Sequence, residues 1–299
     1  MSDGWRVVVA AGCELGEHPV WDAASGTVVW VDLPAGAVHR STPPASYGEG
    51  WHDGSVVVAG EIGVVALRAD GGLIAAADSA FLRLDASGRP DGDPFPVDLP
   101  AGASFNDGAC DPAGRFLAGT TSAADRPGNG VLWSLDPSGS ITTLLEGIVE
   151  SNGLGWSLDG SVLYYVDSGE PVVRRYSYDC ADGSLGPRLA DLAVVQDGGG
   201  VPDGLVVDAD GAVWVALWEG GAVRQYAADG TLLAHLHVPV SLPTCPGFAG
   251  AGLDQLVVTS AWQGLAPAVR ADQPWAGHLL VAPVSVRGLL PHRFGAGPR

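Results

Sequence analysis

Four positions carry an oxygen-bearing side chain in the same local setting. They are Glu17 in Glu17-His18-Pro19-Val20-Trp21, Asp107 or its neighbour Asn106 in Phe105-Asn106-Asp107-Gly108, Asn152 in Asn152-Gly153-Leu154, and Asp203 in Pro202-Asp203-Gly204-Leu205. Each stands just before a short apolar strand, which leads through an Asp/Gly turn into a second apolar strand, a hairpin signal. Taken singly, an Asp-Gly or Asn-Gly pair is an ordinary turn. Recurrence changes that: if the units are equivalent in space, the four side chains converge. Close carboxylates raise one another's pKa, and a divalent cation relieves the repulsion. The set is all oxygen, which suits calcium, magnesium or manganese rather than the nitrogen and sulfur of structural zinc. His18 follows Glu17 directly and in an extended segment points to the other side, which makes it a supporting residue rather than a ligand. The other histidines fall outside the repeated position.

The elements that would position these residues recur with the same period. Turn glycines precede apolar strands at Gly26, Gly72, Gly114, Gly160 and Gly211, with a weaker unit after Gly252, at intervals in the mid-forties. A period of about 40–50 residues with several short strands per unit is that of a β-propeller. Strands such as Val28-Val29-Trp30-Val31 and Val213-Trp214-Val215-Ala216 are rich in β-branched and aromatic residues, and Gly and Pro interrupt every helical period. The expected fold is all-β: one six-bladed propeller domain over residues 1–299. Trp5-Arg6-Val7-Val8-Val9 pairs with the last units through His278-Leu279-Leu280-Val281-Ala282, which removes a free sheet edge. Irregular stretches at 34–55, 120–129, 194–202 and 262–274 are placed at the ends of the channel, where loops over the mouth set access.

Composition narrows the partners. The 299 residues carry a net charge of -19, and all 15 basic residues are Arg. An acidic surface without a basic patch argues against nucleic acid and against anionic membranes. Cys13, Cys110, Cys180 and Cys245 lie far apart and form no CxxC or Cys/His cluster. No leader pattern opens the chain, and no apolar run approaches the ~18 residues that cross a bilayer. A soluble, cytoplasmic, disulfide-free protein is expected, a monomer or weak homo-oligomer with a small-molecule substrate.

Glu14-Leu15-Gly16-Glu17-His18-Pro19-Val20-Trp21, Phe105-Asn106-Asp107-Gly108 with Asp111-Pro112-Ala113-Gly114-Arg115-Phe116, Ser151-Asn152-Gly153-Leu154 and Pro202-Asp203-Gly204 resemble the signature segments of the SMP-30/gluconolactonase/regucalcin family, over nearly the whole chain. The resemblance implies a six-bladed propeller with one divalent metal, calcium first and zinc, manganese or magnesium as alternatives. It implies Glu17, Asn152 and Asp203 as ligands and Asn106 as a substrate contact. Ser104 stands where family sugar lactonases carry Arg, and Ala123 and Ala124 follow Thr121-Ser122 where a substrate-contacting Glu is often found. The implied activity is metal-dependent hydrolysis of a lactone or similar cyclic ester, with Asp203 as the general base. Two alternatives stay open: a non-catalytic calcium- or ligand-binding propeller, and a hydrolase of a specialised non-sugar lactone or phosphoester-type substrate.

Overall fold

A computed structural model describes residues 4–44, 50–124, 126–195 and 198–297. Parts of three expected channel-end stretches (45–49, 125 and 196–197) and residues 1–3, which open the segment checked for a leader, lie outside the described residues.

Six antiparallel sheets, each with four consecutively paired strands, form the molecule, and the fourth sheet adds a short fifth strand, Ala193–Val194, beside Val172–Asp179. Their innermost strands are Gly16–Asp22, Ile62–Leu67, Phe105–Cys110, Ser151–Trp156, Val201–Val207 and Pro243–Ala249. Each packs against the innermost strands of both neighbouring blades, the sixth against the first, so the sheets close a ring around a channel. The chain is therefore a six-bladed β-propeller. Blade six is composite. Its inner three strands come from the C-terminal end of the chain, and Arg6–Val9 supplies the outermost by pairing antiparallel with Leu279–Pro283.

Apolar pattern decides which strand lies where. In the second strand of blade one, Thr27–Asp32, the residues Val28, Val29, Trp30 and Val31 are all fully buried, because a blade sandwiched between two others hides both faces. Such a strand loses the alternation of a half-exposed sheet. The outermost strands His52–Val57 and Leu232–His237 are largely exposed. Between blades two and three, Phe81, Phe105, Phe116 and Trp133 interlock with ring centroids 5.4–5.9 Å apart. The stretch at 262–274 holds one helical turn, Pro267–Ala271. No helix among the described residues is long and apolar enough to cross a membrane, and all four cysteines are free thiols.

The repeated oxygen side chains lie inside the innermost strands, not before them as the hairpin pattern suggests. A register shift explains the difference. Every innermost strand bulges near its start: between Glu17 and Val20, Ile62 and Val64, Phe105 and Gly108, Ser151 and Leu154, Pro202 and Leu205, and Pro243 and Pro246. A bulge breaks the alternation of a strand and re-aims side chains. Here it turns two consecutive residues toward the channel in every blade but the second, where the bulge is the single residue Gly63.

Candidate active site

In four of the six blades the first residue of the bulge faces a cavity of about 360 Å³ at one mouth of the channel. Glu17, Asn106, Asn152 and Asp203 line it, from blades one, three, four and five. Blade two offers no side chain at its bulge, Gly63, and blade six offers Thr244, whose hydroxyl donates to the Gly16 carbonyl at 2.6 Å. Asn106 is thus the member of the Asn106-Asp107 pair that joins the mouth. Asp107 faces the next level down, where its Oδ1 lies 2.8 Å from His18 Nδ1. Ser104 is outside the lining; its hydroxyl lies 3.3 Å from that of Thr121.

Two lining carboxylates escape the repeat pattern or its spacing. Glu150 and Glu219 line the same cavity as Glu17 and Asp203, together with Ser168, Trp218 and Gln263. Antiparallel pairing accounts for most of these. Ser151 faces Asp167 and Val201 faces Trp218, so the end of each second strand arrives beside the start of its innermost strand. Ser168 and Glu219 follow directly. The hairpin register therefore held a signal for Ser168, Trp218 and Glu219; Glu150 precedes its strand by one residue and carried none beyond its charge.

Hydrogen bonds set the amides. Asn152 Nδ2 donates to Ser168 Oγ (2.9 Å), which in turn donates to the Pro202 carbonyl (2.7 Å). Asn106 Nδ2 donates to the Ser151 carbonyl (2.9 Å) and to Asn152 Oδ1 (3.2 Å). Both amide nitrogens are occupied, which leaves amide oxygens on the cavity side as acceptors or ligands.

The carboxylates are not compensated. Burial, then Asp107, then Glu150 push Glu17 well above the usual carboxylate range, against the opposing N–H of His18. Burial, then Glu17, Glu150 and Asp107 do the same to Asp203. Glu150 is raised as well, by burial and by Asp167. No basic side chain lines the cavity among the described residues. Buried carboxylates of one sign without a partner are unstable as anions unless a cation joins them. Glu17, Asp203 and the Asn152 carbonyl oxygen form an all-oxygen donor set, and the surrounding negative charge fits a hard divalent ion.

Residues 15–262 match the family described as SMP-30/Gluconolactonase/LRE-like region. The pentonolactonase XacC of Haloferax volcanii is 37% identical over 257 residues, covering 85% of this chain and 84% of that protein. The 6-deoxy-6-sulfogluconolactonase of Pseudomonas putida is 35% identical over 295 residues, covering 96% and 97%. Among solved structures, regucalcin from Agrobacterium tumefaciens, a calcium-binding protein, aligns with a TM-score of 0.88 at 27% identity, covering 98% of this chain and 97% of that one. The chain belongs to the SMP-30/gluconolactonase/LRE-like family.

Proposed function

We propose that the protein is a divalent-metal-dependent sugar-lactone hydrolase, acting at the cavity lined by Glu17, Asn106, Asn152 and Asp203. The observation that carries this is the cluster of buried, mutually repelling carboxylates around an amide oxygen, in a cavity of small-ligand size. The names of the relatives above supply the substrate class.

Glu17, Asn152 and Asp203 would hold the ion, calcium first. When bound, a divalent ion supplies Lewis acidity that draws charge from an acyl carbonyl. The protein's own groups then move the proton. Asp203 takes a proton from water as the water oxygen bonds to the carbonyl carbon, and returns it to the ring oxygen as the ring C–O bond breaks. Lactone and water give the open-chain hydroxy acid. Asn106 contributes an amide oxygen for a substrate hydroxyl; Ser104, which precedes that strand and lies outside the cavity lining, is a substrate contact only by the family resemblance.

A second reading, calcium binding without turnover, draws on the likeness to regucalcin. A pH-stat assay over a lactone panel separates the two. Acid release that chelator abolishes and added calcium, manganese or zinc restores is the expected outcome. Tight metal binding with no acid release on any lactone would replace the hydrolase by the binding protein.

A further inference from the structure

The second residue of each bulge forms another ring, one step deeper in the channel. Blades two, four and five place glycine at this step or at the bulge itself: Gly63, Gly153 and Gly204. Blades one, three and six place His18, Asp107 and Cys245. We infer that His18, Asp107 and Cys245 form a second metal site inside the channel, separate from the all-oxygen mouth, and that it takes a borderline divalent ion such as zinc.

Four observations support the site. The ligand atoms, a ring nitrogen, a carboxylate oxygen and a sulfur, all lie within 4.8 Å of one another. His18 holds a left-handed backbone, φ 51°, which non-glycine residues adopt at a cost; strain of this kind is retained where the surroundings impose it. Its Nδ1 is buried and 2.8 Å from Asp107 Oδ1, yet makes no hydrogen bond. Two donors that converge on a common third point have that relation. Space has also been cleared for the sulfur: a Cβ on Gly204 would sit 2.4 Å from Cys245 Sγ.

The neighbouring groups support the arrangement. Asp107 Oδ1 accepts the Gly108 N–H at 2.7 Å, and Thr259 Oγ1 bonds the Cys245 N–H and carbonyl at 3.2 and 3.1 Å. Ligands held by outer partners in this way keep their orientation. A second cavity, about 140 Å³, reaches His18 and Cys245 from farther along the innermost strands, beside Trp21, Trp156 and Phe248, and offers a path separate from the mouth. Donor type separates the two sites: carboxylate and amide oxygen suit calcium, whereas imidazole and thiolate suit zinc or cobalt.

The test uses the full chain, stripped by chelator and titrated with cobalt(II) alone. A sulfur-to-cobalt charge-transfer band is expected, bleached by added zinc and unaffected by calcium. Cys245→Ser should abolish it. His18→Gly, which keeps the left-handed backbone without strain, should weaken cobalt binding at this site by at least about tenfold. Glu17→Gln should retain the band. A parent protein, folded by circular dichroism, that shows no such band would overturn the site and leave a His18–Asp107 pair beside a bystander thiol. A band that survives Cys245→Ser, or one lost in Glu17→Gln, would overturn it too, by assigning the metal to another cysteine or to the mouth. Should Cys245→Ser fail to fold, the parent band and its response to His18→Gly decide the question.

Discussion

Asn152 and Asp203 occupy equivalent bulges on adjacent blades, yet only one of them can carry a proton near neutral pH. At saturating metal, Asn152→Asp should keep substantial turnover, since an oxygen ligand remains and the base is intact. Asp203→Asn should lose roughly 10²-fold or more in kcat, the size of a missing general base. If metal-loaded Asp203→Asn turns over like the parent, the base is another group at the mouth. Glu150 would be the next to test, because it shares the cavity while Asp107 faces His18. Ser104 offers one hydroxyl where Arg would offer a planar fork of donors. Among sugar lactones, slow hydrolysis of gluconolactone, faster hydrolysis of a less hydroxylated or bulkier one, and a gain in the gluconolactone rate from Ser104→Arg are expected; a parent already fast on gluconolactone would contradict this. Residue type alone can mislead. Cys13 Sγ lies 3.7 Å from His39 Nε2, and His39 Nδ1 lies 2.9 Å from Asp53, the order of a nucleophile triad. But Cys13 is 2% exposed, burial and Asp32 push its thiol up, and His39 stacks on Trp30 at 4.2 Å. A protonated thiol out of reach of substrate is packing, not catalysis.

In blades five and three a buried carboxylate in the turn of the inner hairpin ties strands together. Asp208 is fully buried. Its Oδ1 accepts the N–H groups of Asp210 and Ala212 at 3.0 and 2.9 Å, and its Oδ2 accepts Trp214 Nε1 and Gln225 Nε2 at 2.8 and 3.0 Å. Gly211 completes the turn at φ 82°. Asp111 does the same in blade three, with the N–H groups of Ala113 and Arg115, the Arg115 guanidinium and the Tyr178 hydroxyl. Asp208 therefore ties the inner hairpin of blade five to its own third strand, and Asp111 ties the hairpin of blade three to the third strand of blade four. Asp208→Ala would strand buried donors, each costing about 1–3 kcal/mol. Chemical denaturation should show a loss of about 3 kcal/mol or more. A change under about 1 kcal/mol would mean that water replaces the carboxylate.

At the scale of the whole molecule, closure and charge act together. Arg6–Val9 joins the two ends of the chain in one sheet, so the four-stranded blade six draws on both. The ring in turn forces carboxylates from separate blades into one mouth. Without metal, Glu17 and Asp203 have folded-state pKa values above their unfolded ones. Between those values the folded protein holds more protons than the unfolded, so stability falls as pH rises. The melting temperature of chelator-treated protein should therefore drop as pH climbs from about 5, just above the unfolded carboxylate range. Calcium should restore it by an amount that grows with pH. A metal-free melting temperature that stays flat or rises across that window would show the carboxylates to be compensated within the protein.

Local chemistry made much of this legible in the residues themselves. The turn pairs, the apolar strands between them and their near-constant spacing specify six hairpin-based blades, because hairpin geometry depends on a few adjacent residues. The oxygen residues Glu17, Asn152 and Asp203 stood out by recurring at one place in that unit. Which neighbour of a pair faces which level of the channel depended on a one-residue bulge, and a shift of one residue sends a side chain to the opposite face. Asn106 was thereby separated from Asp107, and His18 from Glu17. Glu150, Glu219 and the His18–Asp107–Cys245 group came together only when distant blades closed into a ring, since contacts between Glu17 and Asp203, or His18 and Cys245, span most of the chain. Spacing along the sequence records none of those distances; they follow from the closure of the propeller.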